Sequence, residues 1–165
     1  MMSNRTAQPS ATTGSTTAAD PRSPLVASSP TAHAAGLVLL RVALAIVMIA
    51  HGAQKVFTYT LDGTAASFAD MGVPLASVAG PALAIFELVG GIVLLVGLGT
   101  RVVAALNAAA MLGALVIVHA SAGFYSSEGG YEYVLVLAIA SVALVLTGPG
   151  VWSVDALLAR RSRGR

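Results

Sequence analysis

Four apolar stretches, at about 36–57, 78–99, 101–120 and 131–146, set the limits on what this chain can fold into. Each approaches the ~20 residues that a helix needs to cross ~30 Å of hydrocarbon, the last being the shortest. Such a layer holds no water, so backbone N–H and C=O groups must be satisfied within the segment, and a helix does this. Of the 165 residues 56% are hydrophobic and only 10% charged, where a soluble domain would carry about a quarter charged. The expectation is an all-α membrane protein, a bundle of four transmembrane helices.

The segment 1–33 is rich in Ser, Thr, Ala and Pro and has no hydrophobic period. It buries too little apolar area to offset chain entropy and is expected to be a disordered cytoplasmic tail. No apolar core follows a basic start there, so it does not read as a secretory signal. The membrane domain is placed at 34–158 and a basic cytoplasmic tail at 159–165. The connector 58–77 holds Asp62, Gly63, Asp70 and Pro74, with a short helix expected over 65–71. Gly97, Gly99 and Thr100 mark a tight turn, 121–130 joins the last two spans, and Gly148-Pro149-Gly150 stops the fourth. Trp152 follows where an interfacial anchor belongs.

Arg5, Arg22, Arg101 and the terminal Arg160, Arg161, Arg163 and Arg165 fall on one side of such a bundle. Lys55, Asp62, Asp70 and Glu128 fall on the other. The excess of arginine puts both termini in the cytoplasm of a cell exposing the longer loops outside. The terminal arginines read as an anchor on the anionic lipid of the cell membrane.

Glu87 lies inside the second apolar stretch. A bare carboxylate near a bilayer centre costs on the order of 2.5–3.5 kcal/mol by insertion scales. It must therefore face a partner in the bundle or carry a proton. Gly80, Ala84, Glu87 and Gly91 form one stripe at helical spacing, the face suited to another helix. In the first span Arg41, Leu44, Met48, His51 and Lys55 form a second stripe. At 1.5 Å per residue His51 stands about 22 Å above Gly36, and Glu87 about 18 Å above Gly99 on a helix of opposite direction. The two share a depth in the outer half of the membrane, with Lys55 one turn further out.

These positions suggest a polar pocket near the outer surface, lined by His51, Lys55, Glu87 and Glu132, with Tyr131 or Tyr133 at its rim. Glu87 and His51 are the candidate catalytic groups. Such a set could hold a quinone head, pass protons, or lock the bundle through a Glu87–Lys55 bridge. Other polar residues have plainer expectations. Arg41 is read as snorkelling to the interface, Asn107 as an interhelical hydrogen bond, and His119 as a pocket or loop-edge residue. Ala105, Ala109 and Gly113 are read as the packing face of the third span. No His, Cys, Asp or Glu spacing resembles a metal site, and no phosphate loop is present. The basic tail lacks a platform for nucleic acid. Without cysteine the chain does no thiol chemistry of its own.

Four ordered motifs carry a family resemblance. They are His51-Gly52-Ala53-Gln54-Lys55-Val56-Phe57; Glu87-Leu88-Val89-Gly90-Gly91 continuing to Gly97-Leu98-Gly99-Thr100-Arg101; Gly129-Gly130-Tyr131-Glu132-Tyr133; and Gly148-Pro149-Gly150-Val151-Trp152-Ser153-Val154-Asp155. Over about 37–158 the chain resembles the DoxX family of small bacterial and archaeal membrane proteins. The resemblance implies a four-helix membrane protein. The family takes its name from a subunit of a thiosulfate:quinone oxidoreductase, and some members are linked to a membrane complex handling thiol and superoxide stress. For a chain without cysteine this leaves two expectations. One is a subunit of a quinone-linked oxidoreductase or redox-stress complex, with a soluble oxidoreductase partner or a second copy of itself. The other is a non-catalytic scaffold recruiting soluble partners. A small-solute carrier coupled through Glu87 fits less well, because four short helices show no inverted repeat.

Overall fold

The computed structural model describes residues 29–164. The greater part of the tail expected to be disordered, 1–28, lies outside the described residues. Among the described residues the fold is entirely helical, with no strand. Helix α1 spans Pro30–Ala53, α2 Thr60–Asp70, α3 Ala76–Val96, α4 Thr100–Ala114, α5 Glu132–Thr147 and α6 Val154–Arg163.

Helix α1 starts earlier than its apolar run, within the segment expected to be disordered. The Ser29 hydroxyl accepts from the Ala32 N–H at 3.1 Å, and Pro30 occupies the first turn. Both are strong helix starters that an apolar count passes over. At its other end α1 runs on through a π-helical turn, Gln54–Thr58, and α4 likewise through Leu115–His119. With these extensions three helical segments are long and apolar enough to cross a membrane: Pro30–Thr58, Ala76–Val96 and Thr100–Ala122. Helix α5 has 16 residues, about 24 Å of rise.

Helix α1 packs most extensively on α3, and α4 on α5. Both pairs are antiparallel: Lys55 meets Glu87 while Arg41 meets Gly97, and Asn107 meets Ser141 while Arg101 meets Gly148. The α1–α3 approach depends on two glycines. A Cβ on Gly91 would stand 2.9 Å from the Ile49 backbone nitrogen, and one on Gly52 would collide with the Leu88 backbone nitrogen. Neither obstacle is a flexible side-chain end, so only glycine lets the backbones approach this closely. Helix α2, longer than the expected 65–71, lies against α3 where Gly80 admits the backbone of Ala65.

The stripe Gly80, Ala84, Glu87 and Gly91 is wholly buried. In α4 the packed face is Thr100, Ala104, Asn107, Ala108 and Met111, while Ala105 and Ala109 are exposed. This reverses the expected packing face. An Asn in apolar surroundings must find a partner; Nδ2 of Asn107 donates to Ser141 Oγ at 2.9 Å, which turns its side of α4 inward.

Leu44, Ala45, Met48, Leu94, Ala104 and Leu144 form the central core, and Met111, Val134 and Ala138 a smaller one further along α4 and α5. Outside them the surface is apolar, with Leu39, Val102, Val116, Val136 and Leu146 all exposed. A continuous apolar exterior of this kind suits lipid.

Candidate functional site

One end of the bundle is tied shut. Arg41 is 4% exposed. Its guanidinium donates to the Pro149 carbonyl at 2.5 Å and the Trp152 carbonyl at 2.8 Å. It therefore does not snorkel; it holds the loop that ends α5. Asp155, at the start of α6, accepts from the Gly99 and Thr100 N–H groups at 2.8 and 3.0 Å and so caps α4. The Asp155 N–H donates to Gly97 O at 3.0 Å. The segment expected as a basic tail is thus helical through Arg163. Ser153 caps it, accepting from Ala156 N–H at 3.1 Å, and arginines fill its last turn as the helix dipole prefers.

The opposite end is hollow. A cavity of about 420 Å³ opens between α1, α3, α4 and α5, with α2 at its edge. Leu44, Val47, Met48, Met111, Val134 and Leu137 supply much of its apolar wall. His51, Lys55, Glu87, Asn107, His119 and Tyr133 supply its polar groups. Both π-helical turns border it, placing Lys55 and His119 on its wall. Such turns recur at functional sites, because the added residue moves side chains off the regular helical register. Thr64, buried on α2, steadies the first turn by donating to the Lys55 carbonyl at 3.0 Å.

Glu87 is 4% exposed and forms an ion pair with Lys55 through Oε2. A buried pair of this kind is held by complementary geometry, since desolvation offsets much of its Coulomb gain. The His51 Nδ1–H donates to the Val47 carbonyl at 2.9 Å. A carbonyl only accepts, so Nδ1 carries the proton and, in the neutral ring, Nε2 is an acceptor. The ring lies 6.1 Å from that of Tyr133, tilted by 35°. His119 repeats the pattern, its Nδ1–H donating to Gly129 O at 2.7 Å.

Of the residues singled out in the sequence, the fold thus gathers His51, Lys55, Glu87 and Tyr133 on one cavity. Glu132 is not on its wall. Its carboxylate turns to the preceding loop, where Oε1 accepts from Ser126 N–H at 3.0 Å and Ser126 O–H at 2.5 Å. At the first turn of α5 a carboxylate within reach of loop donors satisfies them rather than point into an apolar space. Tyr131 packs edge-on against Phe124, ring centroids 5.6 Å apart. Asn107, expected only as an interhelical bond, makes that bond and also lines the cavity. Its place was detectable in part, because it shares a helical face with Met111 and Ala104. Among the described residues no cluster of His, Asp or Glu could hold a metal ion.

Comparison with known proteins identifies relatives of the chain. The DoxX family model matches residues 36–120. The chain is 34% identical over 120 residues to the Bacillus subtilis (strain 168) protein named "Putative oxidoreductase CatD", covering 73% of this chain and 84% of that one. It is 30% identical over 143 residues to the Mycobacterium tuberculosis (strain ATCC 25618 / H37Rv) "Uncharacterized membrane protein Rv3486", covering 79% and 87%. No solved structure matches. By family match, relatives and apolar exterior together, this chain is a membrane protein of the DoxX family.

Proposed function

We propose that this chain is the membrane subunit of a quinone-linked oxidoreductase system and contacts the quinone in the cavity beside Lys55 and Glu87. The observation that carries this reading is a buried ion pair on the wall of an apolar cavity, next to a histidine ring. At about 420 Å³ the space falls in the range of small-molecule sites, ~300–1,000 Å³. Its composition, apolar with a few polar groups, suits an aromatic head with two oxygens. Lys55 and Tyr133 would position an oxygen of that head, and His51 and Glu87 would hold or move its protons. A quinone supplies two-electron chemistry that is coupled to protons, and a titratable pair beside an apolar space serves it. The Bacillus relative's name as an oxidoreductase supports the class. Electrons would come from a soluble oxidoreductase partner, since the chain has no cysteine.

In this reading α5 is the fourth span, slightly short and matched by bilayer thinning. Arg101 and the arginines of α6 lie at the end away from the cavity, which supports a reading with both termini in the cytoplasm of a plasma-membrane protein. The cavity then opens near the outer face. Single cysteines introduced at Ser127 and Ser162, in a chain that has none, should react with an impermeant maleimide from outside and inside respectively.

The direct test is calorimetric titration of duroquinone into the full chain in lipid nanodiscs. Saturable binding is expected, weakened at least about tenfold by Glu87→Gln or His51→Ala, with helicity retained. No binding by the unmodified chain sinks the quinone reading. Binding unchanged in both variants, with a less stable bundle, leaves Lys55–Glu87 as a lock in a scaffold.

A further inference from the structure

Several hydrogen-bond acceptors around the cavity are left uncommitted. Asn107 is 1% exposed, and its orientation follows from its neighbours. The Ser141 hydroxyl donates to the Leu137 carbonyl at 2.7 Å, so Ser141 Oγ accepts from Asn107 Nδ2. This fixes which end of the amide is which. The remaining oxygen, Asn107 Oδ1, is buried without a partner. Leaving a buried acceptor unpaired is costly, and such a group is a natural contact for a ligand donor.

Other acceptors on the cavity are also uncommitted. His51 and His119 each spend their Nδ1–H on a backbone carbonyl, which leaves Nε2 as an acceptor in the neutral ring. Glu87 bonds Lys55 through Oε2, and Oε1 has no partner among the described residues. Donors at the rim are already engaged. The Gly129 N–H bonds Ser126 O at 3.0 Å, and the Gly130 N–H bonds Tyr125 O at 2.9 Å. Both Ser126 donors go to Glu132. Glu132 is therefore a positioning residue here, keeping the rim poor in donors. What remains to donate is the second N–H of Asn107 Nδ2, the rest of the Lys55 ammonium, already drawn to Glu87, and the Tyr133 hydroxyl, which can equally accept.

A quinone oxygen only accepts hydrogen bonds, whereas each hydroquinone hydroxyl donates one and can accept another. Resting on the quinone reading above, we infer that this cavity selects the reduced, dihydroxy form of its aromatic ligand over the oxidised form. Asn107 Oδ1 and the histidine Nε2 atoms are the groups that tell the two apart. Tighter binding of the reduced form favours reduction of the bound couple, so the site would pull electrons from a donor partner. A tenfold preference raises the potential of a two-electron couple by about 30 mV.

The experiment compares duroquinone with durohydroquinone by anaerobic calorimetry on the full chain in nanodiscs. The reduced form should bind about tenfold tighter, as expected for one or two added hydrogen bonds. His51→Phe keeps an aromatic ring against Tyr133 and should reduce that ratio severalfold, as should Asn107→Leu if its bundle stays folded. Equal or tighter binding of duroquinone to the unmodified chain overturns the preference while the quinone site stands. An unchanged ratio in the folded His51→Phe protein overturns the assigned atoms. Failure of both ligands to bind removes the quinone reading, and the preference with it.

Discussion

Arg41 and Glu87 are both 4% exposed, yet they sit in opposite kinds of surroundings. Around Arg41 the backbone closes in. Two carbonyls take its guanidinium, Asp155 caps α4, and Gly97 at φ 74° packs on the arginine with a geometry that glycine readily adopts. Around Glu87 one side chain, Lys55, answers the charge, and about 420 Å³ of space adjoins it. The first arrangement spends most of its polar groups on holding the chain together, although Arg41 Nε and Thr100 Oγ1 stay buried there without a partner. The second leaves acceptors uncommitted beside an apolar cavity. Burial of a charge alone therefore does not mark a ligand site; what sets Glu87 apart is the open space beside it.

Substitutions can break this contrast. The largest stability loss should come from Arg41→Ala, about 3 kcal/mol from two charge-assisted bonds to loop carbonyls. It would show as a lower unfolding midpoint in detergent, with duroquinone affinity unchanged in the protein that remains folded. Gly52→Ala comes next, at about 2 kcal/mol, because its methyl group forces α1 and α3 apart. Since that contact lies beside Glu87, this variant should also weaken ligand binding, which separates it from Arg41→Ala. Glu87→Gln should cost about 1.5 kcal/mol, as the amide still bonds Lys55 but loses the charge. Its loss of affinity should exceed its loss of stability, the reverse of Arg41→Ala. Smallest is Asp155→Asn, about 1 kcal/mol of capping, read as faster hydrogen exchange at Gly99 and Thr100 with the cavity undisturbed. If Arg41→Ala and Glu87→Gln had the same ratio of stability to affinity loss, the two ends would not differ as described.

The apolar stretches, their glycine punctuation and the Gly80–Gly91 stripe of α3 were legible in the sequence, because lipid enforces helix and helical spacing assigns faces. Helical stripes and depth set Glu87 level with His51 and Lys55 one turn further out; the ion pair between Glu87 and Lys55 is what the structure adds. Depth could not show that Glu132 turns to Ser126, since a one-turn change of direction at a helix start lies below its resolution. The packing face of α4 was misassigned to Ala105 and Ala109, whose small size permits close contact without requiring it. Asn107 requires a partner, and that requirement decided the face. Arg41 was misread because a snorkelling arginine and one holding a returning loop look identical until the loop is placed.

Composition and period by themselves determined that this chain is a helical membrane protein with an acid among its buried faces. Solvation does this locally: each segment must satisfy its own backbone in lipid, whatever its neighbours do. Only the tertiary structure decided which buried polar groups are spent and which remain free, because that depends on carbonyls and hydroxyls brought together from distant parts of the chain. The π-helical turns at Lys55 and His119 belong to the same category. They break the regular helical register beside the cavity, a departure that a helical count does not contain.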